Sequence, residues 1–108
     1  MSNKMAPKHL RKPTKEFWLN VVRDFALEEH HVKLLTAACE AWDRAIQARE
    51  AVETAGMFFT NRHSEIKPHP GLAVERDNRA LFARLLRELN LDVETPSEAY
   101  SRPPALVK

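Results

Sequence analysis

The side chains of this chain best suited to hold a metal ion or attack a substrate are its five histidines and its single cysteine. Their spacing argues against both kinds of chemistry. His30 and His31 are neighbours, and on a helix adjacent rings point about 100° apart, too far round to share one ion. His63, His69 and Cys39 match no zinc-ligand spacing, and no second cysteine completes a pair. A Gly-rich phosphate loop, a Gly-x-Ser-x-Gly elbow and a Cys-His nucleophile spacing are all missing. We therefore expect no catalytic residue, no metal site, no cofactor and no enzymatic activity. His69, set between Pro68 and Pro70, is expected to hydrogen-bond within that proline turn.

Charge is the remaining chemical resource. The net charge of +2 conceals a local excess, because Lys4, Lys8, Arg11, Lys12 and Lys15 place five cations and no acid in residues 1–15. Flexible cations at that density suit phosphate contact, since each neutralised phosphate releases counterions. A solubilising tail is the alternative reading of the same residues. A second set, Arg76, Arg79, Arg84 and Arg87, is interleaved with Glu75, Asp77 and Glu88, as on a solvated helix face.

The elements that position these residues follow from composition and periodicity. A chain of 108 residues supports one small domain, and 44% hydrophobic and 30% charged residues with two glycines suit a helical protein. One cysteine allows no internal disulfide, no signal-peptide core opens the chain, and no apolar run approaches the roughly 20 residues of a membrane span. We expect no membrane partner and a cytoplasmic location. Residues 1–13 read as a flexible basic arm ending at Pro13, 14–93 as one helical oligomerisation domain, and 94–108 as a proline-containing tail.

Thr14 is the expected cap of a first helix running to about Ala26, with Glu16 in its first turn. Phe17, Trp18, Val21, Val22 and Phe25 fall on one side of it, which must be buried. A second helix from Glu28 or Glu29 to Ala55 would be roughly 40 Å long at about 1.5 Å per residue, with Gly56 ending it in a left-handed conformation. Leu34, Ala38, Ala41, Ala45, Ala48, Val52 and Ala55 form a heptad seam along it, with Trp42 and Ile46 to one side. The seam reads either as a contact between copies or as the groove for the first or third helix. Surplus apolar surface favours the contact, so Leu34, Ala38, Ala41, Trp42, Ala45, Ala48 and Val52 are the expected oligomerisation residues.

Met57 to Thr60 and Glu65 to Lys67 read as a short β-hairpin across Asn61-Arg62-His63-Ser64. Pro70 opens a third helix, whose core face carries Val74, Leu81, Phe82, Leu85, Leu86 and Leu89. Asn90 should cap it and Leu91 should pack back on its last turn.

Several of these segments, in this order, resemble a known family. They are Trp18 in the first helix, Cys39-Glu40-Ala41-Trp42 in the second, Gly56 before the aromatic strand, the Lys67-Pro68-His69-Pro70-Gly71-Leu72 turn, the Leu81 to Leu91 helix end, and Arg102-Pro103-Pro104. The set resembles the small subunit of phage terminase, in its short all-helical branch. That resemblance implies a homo-oligomeric ring that recognises viral double-stranded DNA for packaging in the host cell cytoplasm. The ring would regulate a large terminase subunit holding the ATPase and nuclease. Only one helix is expected before the long one, so DNA contact is assigned to the arm rather than to a recognition helix. A small helical DNA-binding regulator is the alternative. The expected fold is mainly α: a helical hairpin with one long central helix, a short β-hairpin and a C-terminal amphipathic helix, assembling into a ring.

Overall fold

The computed structural model describes residues 5–91. The proline-containing tail and Lys4 lie outside them. Among the described residues the chain forms α1 (Lys12–Asp24), α2 (Glu29–Ala55), β1 (Phe58–Thr60), β2 (Ile66–Pro68) and α3 (Pro70–Leu89), so the fold is mainly helical, with one small antiparallel hairpin.

The first helix begins two residues before its expected cap. Arg11 is the N-cap, Pro13 occupies the first turn, and Thr14 lies inside the helix, 3% exposed. The cause is an acceptor supplied from elsewhere. The Arg11 N–H donates to Asp43 Oδ2 at 2.8 Å and the Thr14 hydroxyl donates to Asp43 Oδ1 at 2.5 Å, so a carboxylate on α2 caps α1. Glu16 consequently falls beyond the first turn, which holds no acid. The apolar side of α1 is as expected: Trp18 and Val21 are buried, and Phe17, Val22 and Phe25 pack against the same core.

At the start of α2, Glu28 and His31 form a reciprocal capping box, in which the Glu28 N–H donates to His31 Nδ1 at 3.1 Å. At its end Gly56 takes a positive φ of 94°, which favours glycine, but its ψ of 156° is extended rather than the compact left-handed turn expected. That extended ψ sends the chain straight into β1.

The hairpin pairs Phe58 with Pro68, Phe59 with Lys67 and Thr60 with Ile66; β1 starts one residue later than the sequence pattern places it and ends at the same Thr60, and β2 is displaced by one residue to include Pro68. Asn61 organises the turn: its Oδ1 accepts from the His63 N–H at 2.8 Å and the Glu65 N–H at 3.0 Å, which draws Glu65 out of the strand. Ser64 completes the reversal at φ 63°. The His69 N–H, donating to the Met57 carbonyl at 2.7 Å, closes the hairpin base. His69 then caps α3 through Nδ1, which accepts from the Gly71 N–H at 2.8 Å, as expected of a turn histidine.

Helix α3 packs along α2, Gly71 against Ala48 and Val52, and Phe82 against Trp42. A Cβ on Gly71 would lie 3.0 Å from Val52 Cγ2 and 3.2 Å from the Ala48 carbonyl oxygen, so glycine permits the close approach here. The line running inward from Gly71 passes Glu75, Asn78, Phe82 and Leu85 to the buried Leu89, with the intervening four half-buried. Val74 lies off that line and is 42% exposed, contrary to its expected place on the core face. Asn90 ends α3 in the left-handed conformation, and Leu91 packs on the core of Leu10, Trp18, Val21, Leu35, Cys39 and Leu89.

Candidate functional site

The junction of α1 with α2 fixes where the basic residues stand. Upstream of α1 the chain is docked: Leu10 is 4% exposed, Ala6 packs on the core, and His9 Nε2 lies 2.8 Å from Glu40 Oε2. A free arm along the whole of residues 1–13 is therefore not what the described part of it forms. Leu10, an apolar residue among lysines, is the anchor. Lys8 and Lys12 are exposed and Lys15 is half-buried, and none of the three has a carboxylate within 4.0 Å among the described residues. Arg11 is engaged differently, with a guanidinium nitrogen 3.8 Å from Asp43 Oδ1. Asp43, missed as a key residue in the sequence, stands eight residues after Leu35 and four after Cys39. Those spacings carry a charge onto the face that α2 buries.

Beside this junction, Pro13, Thr14 and Phe17 of α1, Cys39 and Trp42 of α2 and Phe82 of α3 wall an apolar cleft of about 230 Å³, partly open to solvent. The Phe82 ring lies 5.0 Å from that of Trp42 and 6.2 Å from that of Phe17. Arg79 covers the Trp42 ring at 5.2 Å while its Nε donates to Glu75 Oε2 at 3.0 Å. Such a guanidinium–indole contact contributes about 0.5–1 kcal/mol at an exposed site.

The cleft is not built for nucleophilic chemistry. Burial pushes the Cys39 thiol up to about 12, with the charges of Asp43 and Glu40 adding to the shift. Against an ordinary thiol near ~8.5, roughly 10³-fold less thiolate is present at neutral pH. Because the folded value is the raised one, this group's contribution to stability is full below the unfolded thiol's range. It is lost as pH rises through about 12. A disulfide reagent at pH 8 should therefore label Cys39 of the native chain at least about a hundredfold more slowly than the urea-unfolded chain. Equal rates would show that the thiol is not held in this environment.

The small residues of α2 are spent within the chain. Ala38 and Ala45 are fully buried and Ala41, Ala48 and Val52 nearly so, because α3 and α1 lie on them. Of the expected oligomerisation residues only Leu34 and Trp42 keep partial exposure. The seam is thus the groove that receives the chain's own helices, and unspent apolar surface lies instead on the hairpin. Met57, Phe58, Phe59 and Ile66 are 53%, 58%, 45% and 73% exposed there. Along α3, Arg76 and Arg79 pair with Asp77 and Glu75. Among the described residues, no group of three or more histidine, cysteine or acidic side chains is placed to hold a metal ion.

A helical scaffold with small-residue packing between α2 and α3, a proline turn capped by His69 and cations at one end matches the order of motifs set out above. The family model described as phage terminase, small subunit, matches residues 14–100. The chain belongs to that family. Neither a curated protein nor a solved structure shows significant similarity to it. Small terminase subunits act in phage genome packaging and are generally non-catalytic, and membership implies association with a large subunit and with DNA. Among the described residues no helix is long and apolar enough to cross a membrane.

Proposed function

We propose that this terminase small subunit recognises viral double-stranded DNA at the start of packaging and regulates the ATPase and nuclease of the large subunit. It does so as a homo-oligomeric ring in the host cell cytoplasm. The observation that carries this reading is the family match, which runs from Thr14 in the first turn of α1 to beyond the end of α3. The proposed DNA contacts are Lys4, Lys8, Arg11, Lys12 and Lys15. Lys8 and Lys12 are the pair best supported by exposure, and Arg11 is already committed to Asp43. Single phosphate contacts are weak, and a ring multiplies them by holding many copies of the basic segment on one duplex. Sequence preference then comes from duplex shape more than from base edges.

The test has two readings on one preparation. Adding the chain to its purified large subunit should raise ATP turnover on DNA. The affinity of the chain for duplex DNA should fall with salt, and Lys8→Ala/Lys12→Ala should flatten the log–log salt slope by about 2 for each copy in contact. Unchanged ATP turnover together with no duplex binding at low salt overturns the reading. An unchanged slope in the double variant removes these two lysines from the contact.

A further inference from the structure

Two apolar features are left without a partner among the described residues. The first is the hairpin. Its register puts Phe58, Thr60, Ile66 and Pro68 on one face of a sheet that has two strands among the described residues, and Phe58 and Ile66 protrude from that face into solvent. The second is the cleft walled by Phe17, Trp42 and Phe82, with Pro13 at its edge.

The hairpin cannot fill the cleft of its own chain. From Trp42 to Ala55 the α2 helix climbs about 20 Å, and the hairpin starts only at its far end. There it is fixed twice, by its continuation from Gly56 and by the bond from the His69 N–H to the Met57 carbonyl. A knob and a hole held apart on one chain can meet only between copies. A contact of that kind is head-to-tail, and repeated head-to-tail contacts close into a ring when the rotation permits.

We propose that the occupant of the cleft is a second copy of this chain, with the Phe58 and Ile66 face of its hairpin seated against Phe17, Trp42 and Phe82. This rests on the self-association in the reading above and names its contact. Taking about 200 Å² for each large apolar residue, Phe58 and Ile66, the two on the seated face, expose roughly 260 Å² together. That is about a third of the ~800 Å² that each partner contributes to a standard interface. Each copy makes the contact twice, once with its hairpin and once with its cleft, which about doubles the area buried per copy when the ring closes. Charge agrees with the pairing. Arg62 at the hairpin tip and Glu16 beside Phe17 are exposed, and neither has an opposite charge within 4.0 Å among the described residues.

The test uses Phe58→Ser, which removes the knob, and Pro13→Glu, which places a carboxylate at the cleft edge. Both positions are exposed, and a carboxylate is favourable in the first turn of α1, so both variants should keep the native circular dichroism spectrum. By native mass spectrometry at micromolar concentration the unmodified chain should form one closed oligomer larger than a dimer, and each variant alone a monomer. An equimolar mixture should yield the heterodimer and nothing larger, because one intact hairpin and one intact cleft remain between the two variants. If both variants keep the parent assembly, or the mixture forms no heterodimer, this contact is overturned while self-association stands. A monomeric parent chain overturns self-association itself and this contact with it.

Discussion

Trp18→Ala is expected to destabilise the chain by about 3–5 kcal/mol, the largest effect of any single substitution considered for it. Trp18 is 3% exposed and packs in one cluster with Leu10, Val21, Leu35, Cys39 and Leu89, so truncation opens a cavity bordered by residues of all three helices. Its indole N–H also donates to Thr36 Oγ1 at 3.1 Å, and that hydroxyl would lose its partner. Helix α1 has 13 residues, a length at which helices are marginal without tertiary packing, so its persistence depends on this anchor. Against a typical total of about 5–15 kcal/mol, the loss would lower the melting temperature by roughly 15 °C or more. Trp18→Phe separates the contributions. It retains most of the apolar area and gives up the hydrogen bond, for an expected cost of about 1–2 kcal/mol. Urea titrations at several protein concentrations would measure both, since assembly adds a concentration-dependent contribution. A loss below about 1 kcal/mol in Trp18→Ala would mean that α1 is not held by this residue.

The elements were legible in the sequence wherever one local rule acted alone. The spacing of Trp18 and Val21 places the buried side of α1, and the Pro68-His69-Pro70 turn places the start of α3 and a hydrogen bond of His69 within the turn, which the structure shows to be the cap of α3. Asn90 and Leu91 end α3 as their types suggest. Local rules failed where a distant residue supplied what they assumed to be absent. Thr14 has the type of a helix cap, yet Asp43, far along the chain, takes over that function and lets the helix start three residues earlier. Val74 has the type of a core residue, but Gly71 sets the line of closest approach to α2 and leaves Val74 outside.

The candidate site was legible in composition and less so in placement. A seam of alanines shows that something approaches α2 closely, and it does not say what. Its occupants are helices of the same chain, which moves the free apolar surface to Met57, Phe58, Phe59 and Ile66. Likewise the sequence displays five cations near the amino terminus. Only the docking of Leu10 and the contact of Arg11 with Asp43 separate engaged cations from those facing solvent.

Asp43→Ala should be the next most damaging change, at about 2–4 kcal/mol. The side chain accepts from the Arg11 N–H and from the buried Thr14 hydroxyl, so its removal abolishes a helix cap, about 1 kcal/mol. It also leaves a buried hydroxyl without its partner, a further ~1–3 kcal/mol. Two physical origins could underlie the loss, and Asp43→Asn distinguishes them. The Arg11 guanidinium is 3.8 Å from the carboxylate and its side chain is 37% exposed, where solvent weakens an ion pair to about 0–1 kcal/mol. An amide can still accept from the Arg11 N–H through Oδ1 and donate from Nδ2 to Thr14 Oγ1. If hydrogen bonding dominates, Asp43→Asn should therefore cost only about 1 kcal/mol and leave amide-exchange protection of α1 nearly native. If the ion pair dominates, Asp43→Asn should cost as much as Asp43→Ala, and Arg11→Ala should reproduce that cost. The distances favour the first outcome, in which one carboxylate on α2 fixes the start of α1 and with it the direction in which Lys8 and Lys12 face.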